Sequence, residues 1–196
     1  MNSRATTAAR WLSRLLHPFS VCGPALFAAL YLDTRDVSLA FRWTGVTLLV
    51  FLLPLGAFVL VMLRSGRYTD ADVRLREQRH SAYAVAGLCL LALLAAFALG
   101  RAPRVAYACV LTIGMGTFLG GLINQVEKIS VHVLVVVSCA TALTLLAWPV
   151  GLGLGLGALL VSWARVYLGC HTLRQVGLGW IVAVVSATGV FAVLMR

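Results

Sequence analysis

Long apolar runs separated by short, arginine-rich polar stretches set the pattern of this chain. A helix needs on the order of 20 apolar residues to cross ~30 Å of hydrocarbon, and a helix satisfies its own backbone hydrogen bonds there. Runs of that kind lie at 16–32, 43–63, 81–99, 105–123, 131–148, 149–164 and 176–195. The pattern therefore predicts an all-α, polytopic transmembrane helix bundle with seven spans, or six if the first only dips into the bilayer. Trp148-Pro149 marks the cut between two short spans, because proline begins a helix readily and interrupts one. Gly151, Gly153, Gly155 and Gly157 follow it. Small residues let helices approach closely, although a spacing of two does not line them up on one face.

Between the spans the polar segments alternate sides. With seven crossings, 1–15, 64–80, 124–130 and 165–175 share one face of the membrane, and 33–42, 100–104 and the C-terminus share the other. Eleven of the 16 basic residues fall on the first side, which the positive-inside rule places in the cytoplasm. The excess shrinks to seven against five if Arg67, Arg74, Lys128 and Arg165 serve a site rather than orientation. Residues 1–15 carry Arg10, Trp11 and Arg14, the composition of an interfacial amphipathic helix. No repeat or linker divides the chain, so residues 1–196 read as a single membrane domain.

Composition agrees: 61% of the residues are hydrophobic and the mean hydropathy is +0.97, too apolar for a water-soluble domain of this size. Lys128 is the one lysine beside fifteen arginines, and the net charge is +10. The cations sit in short loops without a nucleic-acid motif, which argues against a nucleic-acid partner. Five cysteines, Cys22, Cys89, Cys109, Cys139 and Cys170, have neither disulfide-framework nor zinc spacing and read as small packing residues. Asp70 and Asp72 are the nearest approach to a magnesium cluster, but no second acidic group faces them in the sequence, and neither metal nor cofactor is expected.

The loops on the first face hold the candidate chemistry. Ser130, His132, His171, Lys128 and several arginines gather there in the order 64–80, 124–132 and 163–176. Cations and a hydroxyl can hold phosphate oxygens, one imidazole can attack phosphorus and another can protonate the departing oxygen. His132 stands out because it begins an apolar span, where an ionisable group is costly. Arg76, Arg79 and Arg174 read as anchors, and His17 and His80 as interfacial residues.

Arg165 and His171, with five residues between them and the local run Arg-Val-Tyr-Leu-Gly-Cys-His, resemble the third motif of the phosphatidic acid phosphatase type 2 superfamily. Gln175 stands where that motif has Asp. Ser130 and His132 match the second motif, with Ile129 and Val131 in place of Pro and Gly, and Arg67, Arg74 and Leu75 map onto the first. The resemblance covers about residues 64–185. It implies a metal-independent lipid phosphate phosphatase with His171 as nucleophile and His132 as general acid, and Arg67, Arg74, Ser130 and Arg165 as phosphate ligands. Lys128 is off the motif and reads equally as a further phosphate cation or as an anchor. Gln175 can accept a hydrogen bond from His171 but brings no charge, so slower turnover is expected unless Asp70, Asp72, Glu77 or Glu127 supplies it. The implied partners are a lipid phosphate, isoprenoid or glycerolipid, and the surrounding membrane lipids, with a bacterial cytoplasmic membrane as the implied location. A catalytically weak or inactive relative that binds lipid phosphates as a scaffold or transport component is the alternative.

Overall fold

The computed structural model describes residues 3–73 and 75–196, which form eight helices and no strand. They are α1 (Ser3–Leu15), α2 (Pro18–Thr34), α3 (Val37–Arg64), α4 (Arg79–Gly100), α5 (Arg104–Ile123), α6 (Val131–Leu146), α7 (Trp148–Tyr167) and α8 (Leu173–Leu194). Each of the seven expected spans falls on one of α2 to α8. Five of these, α3, α4, α5, α7 and α8, are long and apolar enough to cross a membrane. The pair α1 and α2, bent by 51° at Leu16-His17, makes a sixth if it is one span. α6, at 16 residues, is the short one, roughly 24 Å at 1.5 Å per residue.

Local chemistry sets the boundaries. Pro18 opens α2 at a position where a missing N–H costs nothing, and the His17 ring accepts from Phe19 N–H at 3.3 Å. Asp36 caps α3 by accepting from Leu39 N–H at 3.0 Å. Within α3 the turn Leu48–Leu52 is a π-helix, in which Leu53 N–H bonds back to Leu48. The extra residue absorbs Pro54, which has no N–H to offer and would otherwise break the ladder inside a 28-residue helix. Ala147 is extended between α6 and α7, and Pro149 lies in the first turn of α7, so the Trp148-Pro149 boundary is as the sequence has it.

α6 occupies the middle. It packs against α2, α7 and α8, while α5 packs on α8 and α4, and α1 lies along α7. Eleven of its residues are buried, against none in the Leu53–Arg64 half of α3, although both are uniformly apolar. With protein on every side, α6 need not match the bilayer thickness. In lipid, apolar surface gains little by moving from a tail to another helix, so close packing must supply the association. Gly151 shows how close: a Cβ there would lie 2.1 Å from Thr144 N of α6.

The alternating helices α2 to α8 bring the ends of α3, α5 and α7 and the starts of α2, α4, α6 and α8 to one end of the bundle, where the Leu16-His17 bend joins α1 to α2. The segments expected to share a face do meet there. Among the described residues all five cysteines are free thiols.

Candidate functional site

Arg165, in the last turn of α7, is the largest fully buried side chain, at 1% exposure. Its Nη1 donates to Asp72 Oδ2 at 2.6 Å and to Ser13 Oγ at 2.9 Å, while its Nε has no partner among the described residues. The chain then reverses through Gly169, whose φ of +66° suits glycine, so that both Cys170 and His171 donate their backbone N–H to Arg165 O. That turn is why five intervening residues bring His171 back beside Arg165.

Thr172 caps α8 in a capping box with Gln175, and this box also fixes the histidine. Gln175 Oε1 accepts from Thr172 N–H at 3.2 Å and faces His171 Nδ1 at 3.1 Å. An amide oxygen only accepts, so Nδ1 carries the proton and the lone pair on Nε2 is left to react. Burial is the main cause that lowers the His171 pKa, to about 3; the nearby charges of Arg79, Arg165 and Lys128 add to it, and the bond to Gln175 opposes it. At neutral pH the ring is uncharged.

The opposing turn, before α6, is arranged differently. Ser130 is fully buried, its Oγ has no partner among the described residues, and its N–H is a long 3.4 Å from Gln175 O. His132 is 5% exposed, with Nε2 also unpartnered and 3.8 Å from Asp72 Oδ1. Lys128 reaches across instead, donating from Nζ to Cys170 O at 3.2 Å, which ties the two turns together.

Asp72 enters from the loop between α3 and α4. Burial opposes its charge, but His132, Arg165 and His17 around it more than offset that and hold its carboxyl below the usual range. His17 Nε2 lies 3.9 Å from Asp72 Oδ1, and the His17 and His132 rings meet edge to face at 4.7 Å.

Of the residues singled out in the sequence, His171, Gln175, Arg165, Ser130, His132 and Lys128 meet at this end. Arg67 does not join them: Gly66, at φ +71°, turns the chain so that Arg67 and Tyr68 both bond Met62 O, and the buried neighbour is Tyr68 while Arg67 is exposed. Arg74 lies outside the described residues.

Four contributors were missed or given another role. Arg79, read as an anchor, is buried and donates from Nε to Val73 O and from Nη1 to Ile129 O, each at 2.7 Å, clamping the two loops beside His171. Ser13 and His17 lie outside the 64–185 segment, and His17 is not a free interfacial residue but part of the Asp72 cluster. Asp72 itself serves His132 and Arg165, with no bond to His171.

Arg165 Nε and Ser130 Oγ are buried and have no partner among the described residues, and together with an imidazole nitrogen that carries no proton they have the chemistry to take an oxyanion. Compared with protein-family models, with curated proteins and with solved structures, the chain matches none of them.

Proposed function

We propose that this chain is a membrane-embedded phosphohydrolase that removes phosphate from a lipid phosphate or diphosphate through a phosphohistidine. One observation carries the reading: His171 is held by its Nδ1 proton on Gln175, which leaves the Nε2 lone pair to react, beside buried Arg165 and Ser130 atoms that lack partners among the described residues. Nε2 attacks phosphorus, the bond to the lipid oxygen breaks, and His132 gives that oxygen its proton. A water then passes a proton to His132 and attacks the phosphohistidine, releasing phosphate and restoring His171. Arg165, Ser130 and Lys128 would hold the phosphoryl oxygens, with Arg79 fixing the loops that carry them.

The lipid class rests on a cavity of about 160 Å³ that begins at His132 and Arg79 and continues between apolar walls such as Phe51, Leu55, Ala86 and Val135. A leaving alcohol beside His132 would have its hydrocarbon directed there. Isoprenyl and glycerolipid phosphates both fit that description, and a bacterial cytoplasmic membrane is the proposed setting.

The test is phosphate release by the purified chain in detergent with EDTA, over isoprenyl and glycerolipid phosphates, against His171→Ala. Release that depends on His171 and ignores the chelator supports the reading. A second reading, a lipid-phosphate binder without turnover, is favoured by Gln175, whose neutral amide holds His171 Nδ1 and brings no charge to stabilise the ring during attack. Phosphate binding by a folded chain in which no acid-labile phosphohistidine can be trapped would establish it instead.

A further inference from the structure

We propose that His17, Asp72 and His132 form a binding site for a divalent transition ion of the Zn²⁺ type, at which the ion acts as an inhibitor of the phosphohydrolase. The inhibitory half rests on the function proposed above; the site itself does not.

One ligand atom from each of the three residues lies within 4.8 Å of the other two. A point therefore exists within about 2.8 Å of all three, against ~2.0–2.2 Å for nitrogen and oxygen on Zn²⁺, so each side chain has to close by less than about 1 Å. His132 supplies the independent sign of a ligand: its Nε2 is buried, points at the cluster and has no hydrogen-bond partner among the described residues. Such an atom costs stability unless something else takes its lone pair or its proton.

The surroundings suit coordination. Asp72 turns Oδ1 to the two imidazoles, and its Oδ2 is fixed by Arg165, itself braced on Ser13. Ligating carboxylates held in that way by an outer partner are the general arrangement. Two imidazoles and one carboxylate select a borderline ion and disfavour Mg²⁺ or Ca²⁺, which prefer all-oxygen shells. Three protein ligands also leave a fourth position for water or a phosphate oxygen.

Two terms oppose binding and limit its strength. The Arg165 guanidinium repels a cation, although its charge is already shared with Asp72. His17 must move its proton from Nε2 to Nδ1, which forfeits the 3.3 Å bond from Phe19 N–H at the start of α2. An ion that binds through His132 Nε2 removes the nitrogen from which the leaving oxygen would be protonated, so phosphate release should fall as the site fills.

The full chain, freed of metal with EDTA and exchanged into buffer, would be titrated with Co²⁺ as a visible probe and then challenged with Zn²⁺. Ligand-field absorption saturating at one equivalent and displaced by Zn²⁺ is expected in the natural chain. His17→Ala and His17→Gln should each weaken binding at least about tenfold. With release normalised to each variant's own metal-free rate, both variants should need at least about tenfold more Zn²⁺ for half inhibition. No Co²⁺ absorption in the folded natural chain, or absorption unchanged in both His17 variants, overturns the site. Binding that leaves release unchanged or raises it overturns the inhibitory role. A chain that binds Co²⁺ through His17 yet releases no phosphate in EDTA supports the site and counts against the proposed function.

Discussion

The two turns that face each other at the polar end are built in opposite ways. In the turn Cys170–Gln175 the polar atoms are committed: backbone to Arg165 O, Thr172 to Gln175, and Gln175 to His171. In the turn Ser130–His132 the hydroxyl and the ring nitrogen are buried without partners among the described residues. A buried polar atom without a partner costs roughly 1–3 kcal/mol, so the second turn is stable only because the rest of the bundle holds it. The contrast separates two tasks. The first turn fixes one group in one orientation, as a nucleophile needs, and the second leaves open positions for something that arrives.

That difference can be broken by substitution. The largest expected effect is at His171: His171→Asn should lower phosphate release by at least about 10³-fold for every substrate, because no leaving group compensates for a missing nucleophile. The folded chain should survive the change, and thermal unfolding in detergent checks it. Replacing His171 should also flatten the acid side of the stability profile. With its folded pKa at about 3 and an unfolded value near 6.5, His171 takes up a proton on unfolding between those limits, so stability falls as pH drops through that window. His132→Ala should cost about 10²–10⁴-fold on lipid alcohols but far less on an aryl phosphate, whose leaving oxygen needs no proton. Equal losses on both substrates would remove His132 from the role of general acid.

Gln175 allows a smaller change in the opposite direction. Gln175→Asp places a carboxylate on Nδ1, which stabilises the charge that grows on the ring during attack and raises the His171 pKa. Turnover should rise about tenfold, and the acid limb of the rate profile should move toward neutral pH. An unchanged rate would mean that the lost charge at this position is not what limits the chain.

How much of this was legible in the sequence follows from distance along the chain. Arg165, His171 and Gln175 could be found because one reversal through Gly169 and one helix turn bring them together. Asp72 and Ser13 reach Arg165 across 93 and 152 positions, and no local spacing records such an approach. Arg79 was misread because an arginine at the start of a span looks the same whether it snorkels to water or turns inward. Apolar runs located α2 to α8 within a few residues, yet they could not say that α6 is enclosed and α3 is not. Hydropathy reports what a helix avoids, which is water, and lipid and protein avoid water equally. The π-turn ahead of Pro54 was equally silent, since the proline is visible but the way the helix accommodates it is not.

The smallest effect tests whether the open turn depends on the fold behind it. Gly179 lies on α8 opposite the start of α6, where a Cβ would sit 3.2 Å from Ser130 O and 3.4 Å from a Val133 methyl. Those contacts are tight without being prohibitive, so the Ser130 turn should yield by a few tenths of an ångström while the helices keep their pairing. Ser130 would shift relative to Arg165, whereas His171, held by Gln175 on α8's own first turn, would stay. Gly179→Ala should then weaken the apparent affinity for substrate by about two- to fivefold, an energy of about 1 kcal/mol or less, with little change in turnover. Melting temperature measured beside KM decides between the two turns. A fall in stability with KM unchanged would show that Ser130 position does not set phosphate binding, and a loss of turnover alone would move the strain to the His171 side.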